Sequence, residues 1–162
     1  MTLIGLPVTE YRTSIMDAIR SHQVTLVVGP TGSGKTTQVP QFLLDSEYAA
    51  RGMIACTEPK RIAAIAAASR IASERQSEVG QEVGYVIRYE RQMSEATKLC
   101  FATVGVLLRE SMTDPYLSKY SCVIVDEAHE RDVFTDFLLG YLKKVCQQRP
   151  EFRIVVMSAT LR

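Results

Sequence analysis

Residues 24–36 read VTLVVGPTGSGKT, an apolar β-branched run followed at once by a glycine-rich segment. The segment GPTGSGKT (29–36) satisfies the pattern G-x-x-x-x-G-K-[ST] in full. In that pattern a buried strand leads into a tight loop whose backbone N–H groups point at phosphate oxygens, at the N-terminal end of a helix. The sequence therefore predicts a phosphate-binding loop on an α/β scaffold.

Each residue type in this loop has a physical role. Glycines let the backbone curl closely around phosphate. We expect Lys35 to reach the β- and γ-phosphates of a bound nucleotide and the Thr36 hydroxyl to bind magnesium. The residues expected to contact the nucleotide are Gly29, Pro30, Thr31, Gly32, Ser33, Gly34, Lys35, Thr36 and Thr37.

Further apolar runs alternate with segments of helical spacing. The runs are nearly continuous, which is typical of parallel strands covered by helices on both faces. They lie at 24–28, 52–56, 98–102, 122–126 and 153–157. The helical segments lie at 11–19, 60–75 and about 133–147. This alternation predicts a doubly wound, RecA-like α/β sheet with right-handed crossovers.

Three shorter stretches carry local predictions. Asp114 is placed to cap a helix that has Pro115 in its first turn. The segments SEVGQEV (77–83) and ERQMSEAT (90–97) are expected to be exposed loops.

Size and composition limit what the chain can be. With 162 residues, 46% of them hydrophobic, we expect one domain over residues 1–162. The sequence has no apolar run of 18 residues and no secretory signal pattern, so we expect a soluble, intracellular protein without a membrane partner. The four cysteines are expected to be reduced and buried. Because the formal net charge is +1, attraction to nucleic acid must come from local groups.

The segment CVIVDEAHER (122–131) is an apolar strand that ends in two adjacent carboxylates. Asp126 could hold magnesium through its water shell, and Glu127 could orient and deprotonate the water that attacks the γ-phosphate. A switch protein or a kinase does not need that second carboxylate. We therefore predict a hydrolase in which Lys35, Asp126 and Glu127 are catalytic, and in which Thr36, Asp126 and Glu127 form the magnesium site. A GTPase is disfavoured because its N-K-x-D element requires asparagine, which this chain lacks.

Five motifs, GPTGSGKTTQ, TEPKRIAA, TVGVLLRE, DEAHER and SAT, occur in this order. Their order and separations resemble those of the first RecA-like lobe of DEAH-box RNA helicases, from about Leu6 to the end of the chain. The resemblance implies that ATP and Mg²⁺ are the cofactors and that other nucleoside triphosphates are accepted too. It also implies movement along single-stranded RNA toward the 3′ end and a nuclear location, with the cytoplasm as the alternative. Its implied partners are a second RecA-like lobe of the same protein, which supplies arginines for hydrolysis, and, as a candidate, a G-patch-type activator.

The resemblance also implies roles for individual residues. Those that would contact RNA are Lys60, Arg61, Arg88 and Thr103, with Arg88 in a hook-like turn within GYVIRYE (84–90). His129 resembles the family's sensor between the two lobes, and we count it among the predicted catalytic residues with Lys35, Asp126 and Glu127. The SAT residues would hydrogen-bond toward the acid pair and couple nucleotide state to the RNA grip; they are Ser158, Ala159 and Thr160.

Three positions depart from the usual family pattern. Glu58 stands where Gln is usual, Lys60 where Arg is usual, and Val104 where Asp is usual. Two other interpretations also remain open. One is a non-motor module that binds RNA or protein, which the intact GKT and DEAH sequences disfavour. The other is a different P-loop enzyme such as a small-molecule kinase, for which the sequence offers no recognisable lid or acceptor pocket.

Overall fold

The computed structural model describes residues 7–159, which contain seven strands. In chain order they are β1 (Val24–Val28), β2 (Met53–Glu58), β3 (Val83–Ile87), β4 (Glu90–Gln92), β5 (Leu99–Thr103), β6 (Tyr120–Val125) and β7 (Arg153–Ser158). They form one sheet in the order β1-β7-β6-β2-β5-β3-β4. All neighbours pair in parallel except the β3–β4 hairpin, which is antiparallel.

Six α-helices connect the strands. They are α1 (Arg12–Ser21), α2 (Lys35–Leu44), α3 (Glu47–Arg51), α4 (Arg61–Glu74), α5 (Val104–Thr113) and α6 (Val133–Gln148). Short 3-10 turns cover Pro7–Tyr11 and Ala128–Glu130. The buried residues form one core cluster on each face of the sheet, the first containing residues of α1, α2 and α4 and the second residues of α5 and α6. This confirms the predicted α/β class with a mostly parallel sheet.

The strand next to the phosphate-binding loop departs from the predicted burial. β1 lies at the edge of the sheet, and its side chains alternate between exposed and buried positions. Val24, Leu26 and Val28 are exposed by 45–49%. Leu26 and Val28 also line a cleft of about 540 Å³ between β1 and α1. The prediction that every strand is covered on both faces is therefore wrong for β1.

Two local predictions are also wrong. Residues 83–87 and 90–92 form β3 and β4, so parts of both expected loops belong to the sheet. Asp114 does not begin a helix: α5 ends at Thr113, and the Asp114 carboxylate accepts hydrogen bonds from the Ser118 backbone N–H at 2.9 Å and from its hydroxyl. An Asx-type turn competes successfully with the helix cap because the chain must reach β6 within a few residues.

Within the described range, no helix has both the length and the apolar character needed to cross a membrane. All four cysteines are buried free thiols, as predicted.

We expect a matched pair of leucine truncations to separate the buried centre of the sheet from its edge. Leu99 is 0% exposed in β5, whereas Leu26 is 49% exposed in β1. Leu99→Ala should lower the free energy of unfolding by about 2–5 kcal/mol because it leaves a cavity, and Leu26→Ala should lower it by about 1 kcal/mol or less. Denaturant unfolding followed by circular dichroism measures both. Equal losses would contradict the assignment of β1 as a half-covered edge strand.

Candidate nucleotide-binding site

The loop between β1 and α2 has the backbone that phosphate binding requires. Gly32 and Gly34 have φ values of +85° and +93°, in the left-handed region that favours glycine. The N-cap of α2 is Gly34, which has no side chain to accept a capping hydrogen bond. The first-turn N–H groups of α2 therefore have no side-chain cap and are available at the loop, as an anion site requires.

Lys35 is held inside this loop. Its side chain is buried, and its ammonium donates hydrogen bonds to the carbonyl oxygens of Gly29 and Pro30 and to the Ser33 hydroxyl. The loop is tied to β7 because the Gly29 N–H donates to the Ser158 carbonyl at 3.1 Å. The cation is therefore placed within the curl of the loop before any phosphate arrives.

The second acidic motif meets the loop directly. Asp126 follows β6 at its carboxyl end and is 4% exposed. The Thr36 hydroxyl donates a hydrogen bond of 2.7 Å to the Asp126 Oδ2 atom. These two residues, which are 90 positions apart in the sequence, thus present adjacent oxygen atoms, the ligand type that Mg²⁺ prefers.

Glu127 has an unusual backbone conformation. It has φ 58° and ψ 35°, in the left-handed region, and Arg131 at the other end of the short 3-10 turn has φ 46°. Non-glycine residues rarely adopt this conformation, and such outliers concentrate at functional sites. Burial, and then the neighbouring Asp126 carboxylate, raise the pKa of Glu127, while His129 opposes this change. A raised carboxylate pKa makes Glu127 a better proton acceptor.

His129 joins the acid pair to the end of β7. The Ala159 backbone N–H donates to His129 Nδ1 at 3.1 Å, and His129 Nε2 lies 3.2 Å from Glu127 Oε2. Because Nδ1 accepts a hydrogen bond, the proton of the neutral imidazole lies on Nε2, which donates to Glu127. The imidazole thus contacts Glu127 on one side and the Ala159 backbone on the other, and its role as a sensor stays a prediction.

The predicted third magnesium ligand, Glu127, lies beside other acidic and imidazole groups. Its carboxylate lies within 4.8 Å of ligand atoms of His129 and Glu130, and the Asp126 carboxylate lies equally close to Glu58 and Cys56. Glu127, Asp126 and Thr36 line the same cavity. Direct ligation of magnesium by Glu127 stays a prediction.

Glu58 adjoins the predicted magnesium carboxylate. It is the last residue of β2 and is 2% exposed. Burial, followed by its hydrogen bond to Asp126 and the charges of Asp126 and Glu127, raises the pKa of Glu58 to about 10. The Glu58 carboxyl is therefore protonated at neutral pH and can donate to Asp126.

A cavity of about 280 Å³ opens between the loop, the acid pair and α4. Its lining residues are Thr31, Gly32, Gly34, Lys35, Thr36, Thr37, Arg70, Asp126, Glu127, His129 and Ala159. The structure therefore brings together most of the predicted nucleotide, magnesium and catalytic residues. Of the other predicted loop residues, Gly29, Pro30 and Ser33 line the neighbouring cleft beside β1.

Arg70 is the cavity residue that the sequence did not single out for the site. Its guanidinium forms an ion pair with Glu74 at 3.1 Å, and the side chain is 66% exposed. No local motif marks it, because α4 reaches the phosphate-binding loop only through tertiary packing. Glu58 was marked in the sequence as a departure from the usual pattern, but its contact with Asp126 depends on the strand order.

The residues predicted to bind RNA lie elsewhere along the same sheet edge. Lys60 and Arg61 are exposed at the start of α4, Thr103 is the N-cap of α5, and Arg88 is exposed in the β3–β4 turn. Neither α4 nor α5 has a side-chain cap hydrogen bond at its N-terminus. Val104, the departure from Asp, is the first residue of α5 and is buried in the core cluster on that face of the sheet.

Two of the three residues predicted to couple nucleotide state to RNA binding lie within the described part of the structure. The Ser158 carbonyl accepts from the phosphate-binding loop, and the Ala159 N–H contacts His129. Thr160 lies outside the described residues.

A glycine-rich loop joined to a strand-end carboxylate, on a mostly parallel α/β sheet, defines a nucleotide-binding domain of the P-loop class. The family model described as DEAD/DEAH box helicase matches residues 9–162. The chain therefore belongs to the DEAD/DEAH box helicase family and forms an ATP-binding helicase lobe. Members of this family generally bind nucleic acid.

We expect the buried Glu58 carboxyl to give stability a specific pH dependence. Its pKa is about 10 in the folded state and near 4.5 when exposed, so between these values the folded protein holds one proton more than the unfolded chain. The free energy of unfolding must then fall as the pH rises. Glu58→Gln removes this contribution. From about pH 5 to about pH 9, the free energy of unfolding of the variant should therefore rise relative to that of the wild type, by at most about 1.4 kcal/mol per pH unit.

Denaturant unfolding of nucleotide-free protein at several pH values measures this difference. Glu78→Gln, at an exposed glutamate, is the matched control and should follow the wild type. Parallel pH curves for Glu58→Gln and the wild type would show that Glu58 is ionised in the folded protein.

Proposed function

We propose that this chain is the first RecA-like lobe of a DEAH-type RNA helicase and that it binds Mg-ATP and the backbone of single-stranded RNA. The observation that carries the proposal is the hydrogen bond from Thr36 to Asp126, which unites the two halves of an ATPase site. The DEAH subtype is supported by residues 126–129, which read Asp-Glu-Ala-His, and by the contacts that His129 makes on both sides.

The residues of the site divide the chemistry among them. Lys35 and the first-turn N–H groups of α2 bind the β- and γ-phosphates. Thr36 and Asp126 hold magnesium, with Glu127 beside them. When bound, this ion neutralises the charge that develops on the transferred phosphate. Glu127 accepts a proton from the attacking water, and its raised pKa suits that task.

Communication between nucleotide and RNA uses His129. Its imidazole contacts Glu127 through one nitrogen and the Ala159 N–H through the other. A movement of the catalytic carboxylate therefore changes the hydrogen bonding of Ala159, which belongs to the segment 158–160. In this proposal His129 is a positioning residue for Glu127, and the segment transmits the change.

RNA binding rests on the carboxyl edge of β2, β5 and β3. Lys60, Arg61 and Arg88 supply exposed cations, and Thr103 begins a helix whose N-terminus has no side-chain cap. Contacts of this kind are directed at phosphate, so RNA recognition should tolerate many sequences. Exposed arginine and lysine side chains would also make the affinity fall as salt concentration rises.

Hydrolysis requires charge stabilisation that this lobe does not supply. In the described part of the chain, the cavity is lined by two cations, Lys35 and Arg70, and Arg70 is already paired with Glu74. We propose that a second RecA-like lobe of the same protein contributes the arginines that stabilise the transition state. A G-patch-type activator is a candidate partner for that two-lobed form, and the nucleus is the proposed location.

We expect Mg-ADP to bind this chain and to lose most of its affinity in Lys35→Ala. A charge-assisted hydrogen bond to phosphate contributes roughly 1.5–3 kcal/mol, so the loss should be about tenfold to a hundredfold. Isothermal titration calorimetry measures it, with GDP as competitor to test base preference. Lys98→Ala, at the amino end of β5 and therefore at the opposite edge of the sheet, is the matched control.

Binding that disappears with Lys35, persists in Lys98→Ala and shows weak base preference supports an ATP lobe of a helicase. Absence of binding to a folded wild-type chain would favour a non-motor interaction module instead. Circular dichroism of each variant establishes that it is folded.

We expect the 162-residue chain alone to show negligible ATP hydrolysis and no RNA unwinding. The physical reason is that, among residues 7–159, the cavity has no lysine or arginine besides Lys35 and Arg70 to stabilise the transferred charge. A phosphate-release assay with and without single-stranded RNA measures turnover, and Glu127→Gln is the control. A robust RNA-stimulated rate that Glu127→Gln leaves unchanged would overturn both the need for a second lobe and the role of Glu127.

A further inference from the structure

The turn between β3 and β4 presents an aromatic ring in an unfavourable backbone conformation. Ile87 pairs with Glu90, so Arg88 and Tyr89 are the two residues of the turn. Tyr89 has φ +68° and is 86% exposed. A left-handed residue at the second turn position is normally glycine or asparagine, because other side chains are disfavoured there.

Neither burial nor turn preference explains a tyrosine at this position. The ring removes little apolar surface from water, and the backbone conformation is one that tyrosine rarely adopts. Outliers of this kind point to a function that the local structure maintains against its own preference.

The hairpin fixes the backbone that carries the Tyr89 ring. The Tyr85 hydroxyl donates to Glu90 at 2.7 Å across the two strands. A Cβ atom on Gly84 would lie 2.3 Å from the Gln92 carbonyl oxygen, so the strands approach more closely there than any other residue would allow. The Arg88 guanidinium lies 4.9 Å from the Tyr89 ring centroid and covers one face of the ring. The other face is open to solvent.

Strand register places this turn beside the proposed RNA contacts. Glu58 pairs with Thr103, and Val86 pairs with Ala102, so β2, β5 and β3 end at the same level. Adjacent strands lie about 4.8 Å apart. The start of α4, with Lys60 and Arg61, the start of α5, and the Arg88–Tyr89 turn therefore follow one another along the edge.

We infer that Tyr89 stacks on a base of single-stranded RNA while Arg88 contacts the adjoining phosphate. An exposed ring next to a row of cations matches the chemistry of single-stranded nucleic acid, in which every base offers a flat face. The inference rests on the proposed function. The other proposed RNA contacts along this edge are made to phosphates, and Tyr89 would add a contact to a base.

The chain contains no tryptophan, so Tyr89→Trp introduces a single fluorescent reporter. Titration with a short oligoadenylate should quench its emission, because stacked bases quench indole, whereas an abasic oligomer of the same length should leave the emission unchanged. Tyr116→Trp is the matched control: Tyr116 is 54% exposed between α5 and the amino end of β6, at the opposite edge of the sheet, and its reporter should not respond.

Two further variants test affinity without the reporter. Tyr89→Phe keeps the ring and should bind a fluorescein-labelled oligoadenylate as the wild type does, by fluorescence anisotropy. Tyr89→Asn removes the ring but suits the left-handed conformation. It should bind about fivefold to a hundredfold more weakly while its thermal unfolding midpoint is unchanged or higher. A purely structural role for Tyr89 would instead lower that midpoint.

The outcomes separate this inference from the proposed function. If oligoadenylate binds the wild type but does not quench Tyr89→Trp, and Tyr89→Asn binds normally, the stacking role is overturned and the RNA-binding proposal stands. If oligoadenylate binds neither the wild type nor any folded variant, both the RNA-binding proposal and the stacking role are overturned.

Discussion

Parallel pairing of six adjacent strands is the constraint on which both candidate sites depend. A parallel sheet places the carboxyl ends of all its strands at one edge, where ligands of such folds bind. The carboxyl ends of β1, β7 and β6 carry the phosphate-binding loop, Ser158 and Asp126. The carboxyl ends of β2, β5 and β3 carry Lys60, Thr103 and Arg88. Strand order therefore divides one edge into a nucleotide half and a candidate RNA half.

Much of the nucleotide half could be predicted from the sequence because its determinants are local. A glycine-rich loop needs glycine at fixed positions, and Gly32 and Gly34 adopt the conformations that only glycine adopts readily. An apolar run that ends in acid places Asp126 at a strand end whatever the neighbouring strands are. The pairing of Asp126 with Thr36 then follows from the usual position of this strand in P-loop folds.

The features that could not be predicted depend on what lies beside each segment. β3 and β4 contain glycine and charged residues; β3 is a strand because β5 offers an edge for pairing, and β4 pairs with β3 in turn. The β1 side chains look buried in sequence, yet three of the five are exposed in the structure, where β1 lies at the edge of the described sheet. Arg70 reaches the nucleotide cavity only because α4 packs beside α2. Periodicity carries no information about such neighbours.

Glu58 lies where the two halves of the edge meet. A protonated glutamate presents both a donor and an acceptor group, as glutamine does, so it can donate a hydrogen bond to Asp126 at the position where DEAH-box helicases, which this sequence resembles, usually have glutamine. Burial and the adjacent carboxylates keep the proton on Glu58, and the substitution is therefore conservative in charge. Lys60 follows only two residues later, at the start of α4. The last residue of β2 thus connects Asp126, the proposed magnesium ligand, to the start of α4, the proposed RNA contact.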